Sequence, residues 1–438
     1  KHYRSFVSRL SFTMFRKALS SSVHRVNAVR QSARFSSVQS PTVLYTWGDG
    51  SDGQLGHAVY KTTDGIMGSR YVQEEPRKLL RSKKFTSVAI GPHHTFAVSN
   101  TGDLFAWGKE FLTADSQSKE PVVIAPGLKV KSVAAGVRHN AVIGLDGLVY
   151  TWGHGGSWMS GGGQLGHGST SREDKPRLIE AFQQYGAKAA QVALGERHTV
   201  ILTDDGEVLT CGVGEYGRQG TGHTSDALVP TSVESLDNDD IVQIAAGHDH
   251  SLALNSKGEI YSWGRNQSGQ LGHSDSNIDI YSMEDFPRVI DAESINNGEN
   301  AEALAADGES PTNAPIFTQV ACGSGRSAAV TTDGHLYIWG ARVGHQPRLI
   351  AKSLFDGHRV VKVACGGEQG RSAFAVITED NSLWMIGDAS SKMLGSAGLS
   401  GKYPVPRLVP TLVNKVADVA CGYGQHMAAF VKVVDATD

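Results

Sequence analysis

Five histidines recur at one position of a repeated motif, His94, His139, His198, His250 and His426, and gathered on one surface they would make a metal or acid–base set. Four cysteines, Cys211, Cys322, Cys365 and Cys421, could add soft ligands or a nucleophile. The run HGGSWMSGGGQLGHG over 154–168 has the glycine density of a phosphate-cradling loop. Glu196 and Asp249 stand in GERH and GHDH, close before His198 and His250, where an acid near an imidazole could move a proton or grip a partner.

The spacing argues against each of these chemistries. The histidines fall in separate copies of a repeat, too far apart to share one ion at bonds of about 2 Å. Each is expected instead to tie a turn to a neighbouring backbone carbonyl. The cysteines show no C-x-x-C spacing; three share a Val-Ala-Cys-Gly slot, and Cys211 stands where other copies have Trp. They read as small apolar core residues. The glycine run has no following helix and no Gly-Lys-[Ser/Thr], so it reads as an enlarged loop. Trp158 and Met159 at its tip are either tucked in or a binding anchor. No nucleophile–base pair or carboxylate pair at fixed spacing remains. The sequence predicts a protein without covalent catalysis, cofactor or metal.

The elements that must position these residues come from the repeat itself. Val-Ala-x-Gly-x-x-His, followed by a turn and an aromatic-Trp-Gly, recurs as VAIGPHHTFAVSNTGDLFAWG (88–108), VAAGVRHNAVIGLDGLVYTWG (133–153) and IAAGHDHSLALNSKGEIYSWG (244–264). Such a unit cannot bury its own apolar face, so copies must pack on one another. Period-two alternation over four to six residues between Gly or Asp predicts short half-buried strands. Gly102, Gly147, Gly206, Gly258 and Gly334 mark the hairpins, with Asp380-Asn381 replacing the sixth. Prolines in EEPRKLL, DKPRLIE, DFPRVI, HQPRLI and VPRLVP suit outer edge strands, where no ladder bond is lost.

The motif glycine appears seven times, at Gly91, Gly136, Gly195, Gly247, Gly323, Gly366 and Gly422. The chain opens on a Trp-Gly strand (TVLYTWGDG, 42–50) with no preceding Val-Ala-x-Gly strand. It closes on VADVACGYGQHMAAFVKV (416–433) with no following Trp-Gly strand. Pairing these halves predicts an all-β, seven-bladed β-propeller over 41–434, closed by its terminal half-repeats. The acidic, small-residue-rich stretch at about 274–315 is predicted to be a long flexible insertion.

Several units end in Gly-Gln-Leu-Gly, in GSDGQLGH (50–57), GGGQLGH (161–167) and NQSGQLGH (266–273). The linked set A-G-x-x-H-[ST], D-G-x-[VIL]-[YF]-x-[WC]-G and G-Q-L-G resembles the regulator-of-chromosome-condensation repeat. The resemblance spans roughly residues 42–433 and implies a seven-bladed propeller. Units two, six and seven depart from Gly-Gln-Leu-Gly, and Arg326 and Arg371 replace two motif histidines. The resemblance also implies a possible guanine-nucleotide exchange role, in which acids and histidines of the G-x-x-H turns matter. The matching positions here are Glu196, His198, Asp249 and His250.

Residues 1–40 contain eight Lys or Arg, many serines and no acid, the composition of a mitochondrial transit peptide. Translation is expected to start at Met14. Removing those eight from 41 basic residues leaves 33 against 44 acidic, a net charge of −11, which disfavours generic phosphate binding. No apolar run approaches the roughly 20 residues that would span a bilayer. These features predict an interaction scaffold of the mitochondrial matrix, monomeric within a larger assembly. Its expected partners are proteins, such as ribosomal or assembly factors or a GTPase. A role as an exchange factor is the alternative and RNA binding a lesser one; DNA is not expected.

Overall fold

Alternating segments bounded by turn glycines become strands, and these strands pair in fours. The computed structural model describes residues 42–57, 71–79, 84–157, 159, 161–274, 278–296, 298–308, 315–368, 371–387, 393–395 and 405–432. Within them lie seven antiparallel four-stranded sheets. Blade 1 comprises Phe85–Ile90, His94–Ser99, Leu104–Lys109 and Gln117–Ile124, from the innermost strand outwards. Blades 2 to 6 repeat this order, beginning at Val130, Ala189, Ile241, Phe317 and Val360. Blade 7 joins Val416–Cys421 and His426–Lys432 to Thr42–Asp49 and Val72–Lys78. Among the described residues, no helix is long and apolar enough to cross a membrane.

Closure occurs where the half-repeats predicted it. Thr42 pairs with Lys432 and Gly48 with His426, seven consecutive antiparallel partners in all. The innermost strands of neighbouring blades touch in turn around the ring, including Val416–Cys421 against Phe85–Ile90. Gly102, Gly147, Gly206, Gly258 and Gly334 adopt φ between +78° and +94° in the hairpins, and Asn381 takes the same region at +63°. Pro76, Pro176, Pro287 and Pro347 lie on fourth strands.

The core is divided among the seams. Each apolar cluster among the described residues combines side chains of two adjacent blades, as when Phe96 and Val98 meet Val133, Val142 and Trp152. Trp47, Trp107, Trp152, Trp263 and Trp339 are fully buried in this way. Each indole N–H donates to a carbonyl on the loop of the preceding blade. Trp107 Nε1 reaches Gln54 O at 2.8 Å and Trp339 Nε1 reaches Gln270 O at 2.9 Å. At the degenerate loops, Phe111, Arg218 and Met393 offer the equivalent carbonyl to Trp152, Trp263 and Trp47.

The motif histidines complete this seam; His94 makes the backbone contact expected from the sequence, its Nδ1 3.3 Å from Lys109 O, but the contact they share is to a side chain. Each imidazole reaches the side chain that follows the motif position in the next blade. His426 Nε2 lies 2.9 Å from Thr95 Oγ1, His139 Nε2 2.7 Å from Thr199 Oγ1 and His250 Nε2 3.0 Å from Ser327 Oγ. Those hydroxyls in turn donate to Gln54 O, Gln164 O and Gln270 O. A hydroxyl with its hydrogen committed can only accept, so Nε2 carries the imidazole proton. The motif glycine serves this packing: a Cβ on Gly195 or Gly247 would lie 2.2 Å or 2.1 Å from the His198 or His250 ring.

The stretch predicted to be a flexible insertion is ordered over much of its length. It supplies the fourth strand of blade 4, Met283–Val289, and helices Ala292–Ile295 and Gly298–Ala306. Asn300 clamps the second helix to blade 5, donating to Pro347 O and accepting from Leu349 N–H at 2.8 Å each. Ile295 and Leu304 join the seam between blades 4 and 5. Composition alone missed these anchors because only one apolar residue per helical turn is needed to dock so short a segment. The predicted leader, residues 1–40, lies outside the described residues.

Two stability outcomes follow from the seams. Trp47→Ala, which empties the closing seam, is expected to cost about 3–5 kcal/mol in urea denaturation. Burial lowers the pKa of His57, His94 and His250 from 6.5 to about 4 and that of His139 and His426 to about 3. The unfolded chain therefore binds more protons between the two values. Their stabilisation is complete above pH 6.5 and is lost as pH falls towards 4. Melting temperature should hold near neutrality and fall steeply below pH 6.5, and His250→Asn should flatten that fall.

Candidate functional site at the turn crown

The turns between first and second strands come to the same height, so one end of the ring carries a crown of G-x-x-H turns. A cavity of about 510 Å³ opens in it. Its lining includes His93 and Glu110 of blade 1, Arg138, His154 and Arg172 of blade 2, His248 of blade 4 and Tyr423 of blade 7.

A chain of charges crosses three blades beside this cavity. Arg138 Nε donates to Glu196 Oε1 at 3.0 Å, and Glu196 Oε2 lies 3.2 Å from His248 Nε2. His248 Nδ1 is 3.0 Å from Asp249 Oδ2. Behind them Arg218, with a side chain only 2% exposed, places NH1 2.9 Å from Asp249 Oδ1. Arg265 approaches Asp249 Oδ2 at 3.4 Å and lies over the Tyr216 ring. Burial pushes the Asp249 carboxyl up, but the His248 hydrogen bond and the Arg218 charge together hold it well below the usual carboxylate range.

The sequence-derived candidates separate in this geometry. Glu196 is partly exposed and bridges two cavity-lining residues, Arg138 and His248. Asp249 is 6% exposed and serves as counter-ion to Arg218. His198 and His250 are fully buried, bonded to Ser251 and Ser327 across the seams. Met159 is 77% exposed, and Trp158 lies outside the described residues. The loop carrying them is a two-stranded hairpin, Gly156–Ser157 against Gly161–Gly162. Asp226 Oδ2 accepts from Gly162 N–H at 2.8 Å, Arg197 donates to Gly161 O at 3.2 Å, and Gln164 Nε2 donates to His154 O at 2.7 Å.

Glu196, His248 and Asp249 bring ligand atoms within 4.8 Å, the one such metal-competent group among the described residues. Arg138, Arg218 and Arg265 already neutralise these carboxylates, so the local field disfavours an added cation. The cysteines behave as filler: burial pushes Cys211 and Cys365 up to about 12, far from a thiolate. Cys211 occupies the Trp place in blade 3, its Sγ 3.9 Å from Gln164 O.

Residues 16–309 match the family described as the RCC1-like domain, and residues 317–341 match the regulator of chromosome condensation (RCC1) repeat. The chain belongs to the RCC1-like propeller family. This RCC1-like chain is 29% identical over 404 residues to the ultraviolet-B receptor UVR8 of Arabidopsis thaliana, covering 88% of itself and 80% of that protein. It superposes on the crystal structure of human WBSCR16 with a TM-score of 0.71 at 24% identity, covering 89% and 99% of the two chains. Against Prp20p of Saccharomyces cerevisiae the TM-score is 0.73 at 19% identity, covering 93% and 96%. At these identities the two structures bear on fold alone, and they agree with seven closed blades.

From the sequence, Arg138, His248 and Tyr423 fall in the crown turns, whereas His154, Arg172 and Arg218 were missed. These three sit where the repeat varies, and a repeat consensus draws attention to what stays the same. Arg218 had a usable signal, since it replaces the Gln of Gly-Gln-Leu-Gly. Asp249→Ala should cost about 3–5 kcal/mol by stranding the Arg218 charge. Adding Arg218→Met should restore most of the loss, measured as urea midpoints of the single and double variants.

Proposed function

We propose that this RCC1-like propeller is a non-catalytic protein-interaction platform of the mitochondrial matrix, serving organelle gene expression or complex assembly. The observation that carries the reading is the exposed Met159 on an anchored hairpin beside a crown of fixed charges. An apolar tip held by Asp226 and Arg197 loses little freedom on docking, which is how an anchor residue gains affinity. The charge chain from Arg138 to Asp249 supplies a polar surround of fixed pattern, which selects among partners. The address rests on the basic, acid-free residues 1–40.

Partners of this chain are proteins, with mitoribosomal, RNA-maturation or respiratory-complex assembly factors as the classes proposed. Prp20p, which shares the fold, has binding properties towards Gsp1p and histones, which are also proteins. Guanine-nucleotide exchange on an organellar GTPase is the second reading, favoured by the same hairpin, which carries the exposed Met159. RNA ranks below both, because the chain without its leader carries a net charge of −11, from 33 basic and 44 acidic residues.

Purification of the tagged protein from isolated mitochondria, with and without RNase, tests the reading. The expected result is a protein set that survives RNase and falls about tenfold or more with Met159→Asp. Absence from mitochondria, or partners released by RNase, would overturn it. Acceleration of nucleotide release from an organellar GTPase, lost when residues 156–162 are replaced by a short turn, would establish the second reading instead.

A further inference from the structure

The cavity in the crown gathers hydrogen-bond donors to a degree that its own residues do not use up. His154 is the centre of this group. Its Nδ1 accepts from Gly156 N–H at 3.1 Å, so a neutral ring carries its proton on Nε2. Burial, and then Arg138, Arg172 and Arg197, lower its pKa, and no acid offsets them. Arg138 and Arg172 line the cavity together with this imidazole.

Each guanidinium is only partly committed. Arg138 meets Glu196 through Nε, Arg172 meets Asp174 through Nε and Leu112 O through one NH2, and Arg197 donates to Gly161 O. Of the acids nearby, Glu196 is taken up by Arg138 and His248, and Asp249 by Arg218. Glu110 lines the cavity but is exposed on its rim, and Asp174, 56% exposed, faces solvent.

A second observation points to a ligand independently of the arginines. Tyr423 lines the same cavity, and its hydroxyl is buried with no hydrogen-bond partner. Burial, followed by the neighbouring Cys322, Asp249 and Glu196, pushes the phenol well above its ordinary range, so it remains a proton donor. An unpaired buried hydroxyl is destabilising, and a bound acceptor would recover that cost. The volume, about 510 Å³, is that of a small-molecule site.

We infer that this cavity binds a small organic oxyanion, a phosphate or carboxylate group held by Arg138, Arg172 and His154 with the Tyr423 hydroxyl as a further donor. Phosphate and carboxylate share this chemistry: planar, forked guanidinium donors fit both, and a neutral imidazole adds a directed N–H. The inference stands on the cavity itself and is independent of which protein docks on the crown.

Melting curves and calorimetry of the full chain with inorganic phosphate, pyrophosphate and citrate, against potassium chloride of equal ionic strength, test it. Saturable binding and a raised melting temperature are expected with at least one oxyanion and not with chloride. Pyrophosphate without citrate would assign a phosphate ligand, and the converse a carboxylate. Tyr423→Phe should leave the unliganded protein as stable or more so, while weakening binding about tenfold. Arg172→Gln should weaken it further, with folding checked by the unliganded melting curve. No saturable binding at millimolar anion, or binding unchanged by both substitutions, would overturn the inference.

Discussion

A single loop carbonyl ties blade 7 to blade 1, and another ties blade 4 to blade 5. Gln54 O receives the Trp107 indole and the Thr95 hydroxyl, and that hydroxyl receives His426 from the same blade as Gln54. Gln270 O does the same for Trp339 and Ser327, with His250 completing the set. The glutamine, tryptophan, histidine and hydroxyl that look like four separate motifs are thus parts of one buried junction between blades. Its histidines must stay neutral, because a charged ring there would be buried without an anion to meet it.

Much of this was legible beforehand, and the legible part is what every blade must obey. Turn glycines, outer prolines and period-two strands follow from backbone geometry, so they repeat and can be counted. The terminal half-repeats could be matched because strand pairing needs two partners. The partner of each histidine was not legible: the hydroxyl that meets His426 is Thr95, 331 residues away along the chain. Nor was the docking of Gly298–Ala306, which depends on Asn300 finding the edge of blade 5.

The crown was read only in outline for the opposite reason. Its turns tolerate almost any side chain, so chemistry accumulates there without a pattern. Asp249 and Glu196 look equivalent in sequence, yet one neutralises a buried guanidinium and the other bridges the partly exposed Arg138 and His248. The difference arises from Arg218, a substitution in a loop of the preceding blade. Family resemblance places such residues at the right height on the ring but does not determine which way each one faces.

The closing register also fixes where the ends of the ring emerge. Gly48 pairs with His426 beside the crown and Thr42 with Lys432 at the far rim, so both exits lie on the surface opposite the cavity. A tether joined directly at Thr42 or Lys432 would therefore hold the propeller by its back. An immobilised or membrane-linked form could present its whole upper surface to solution without the linker passing across it.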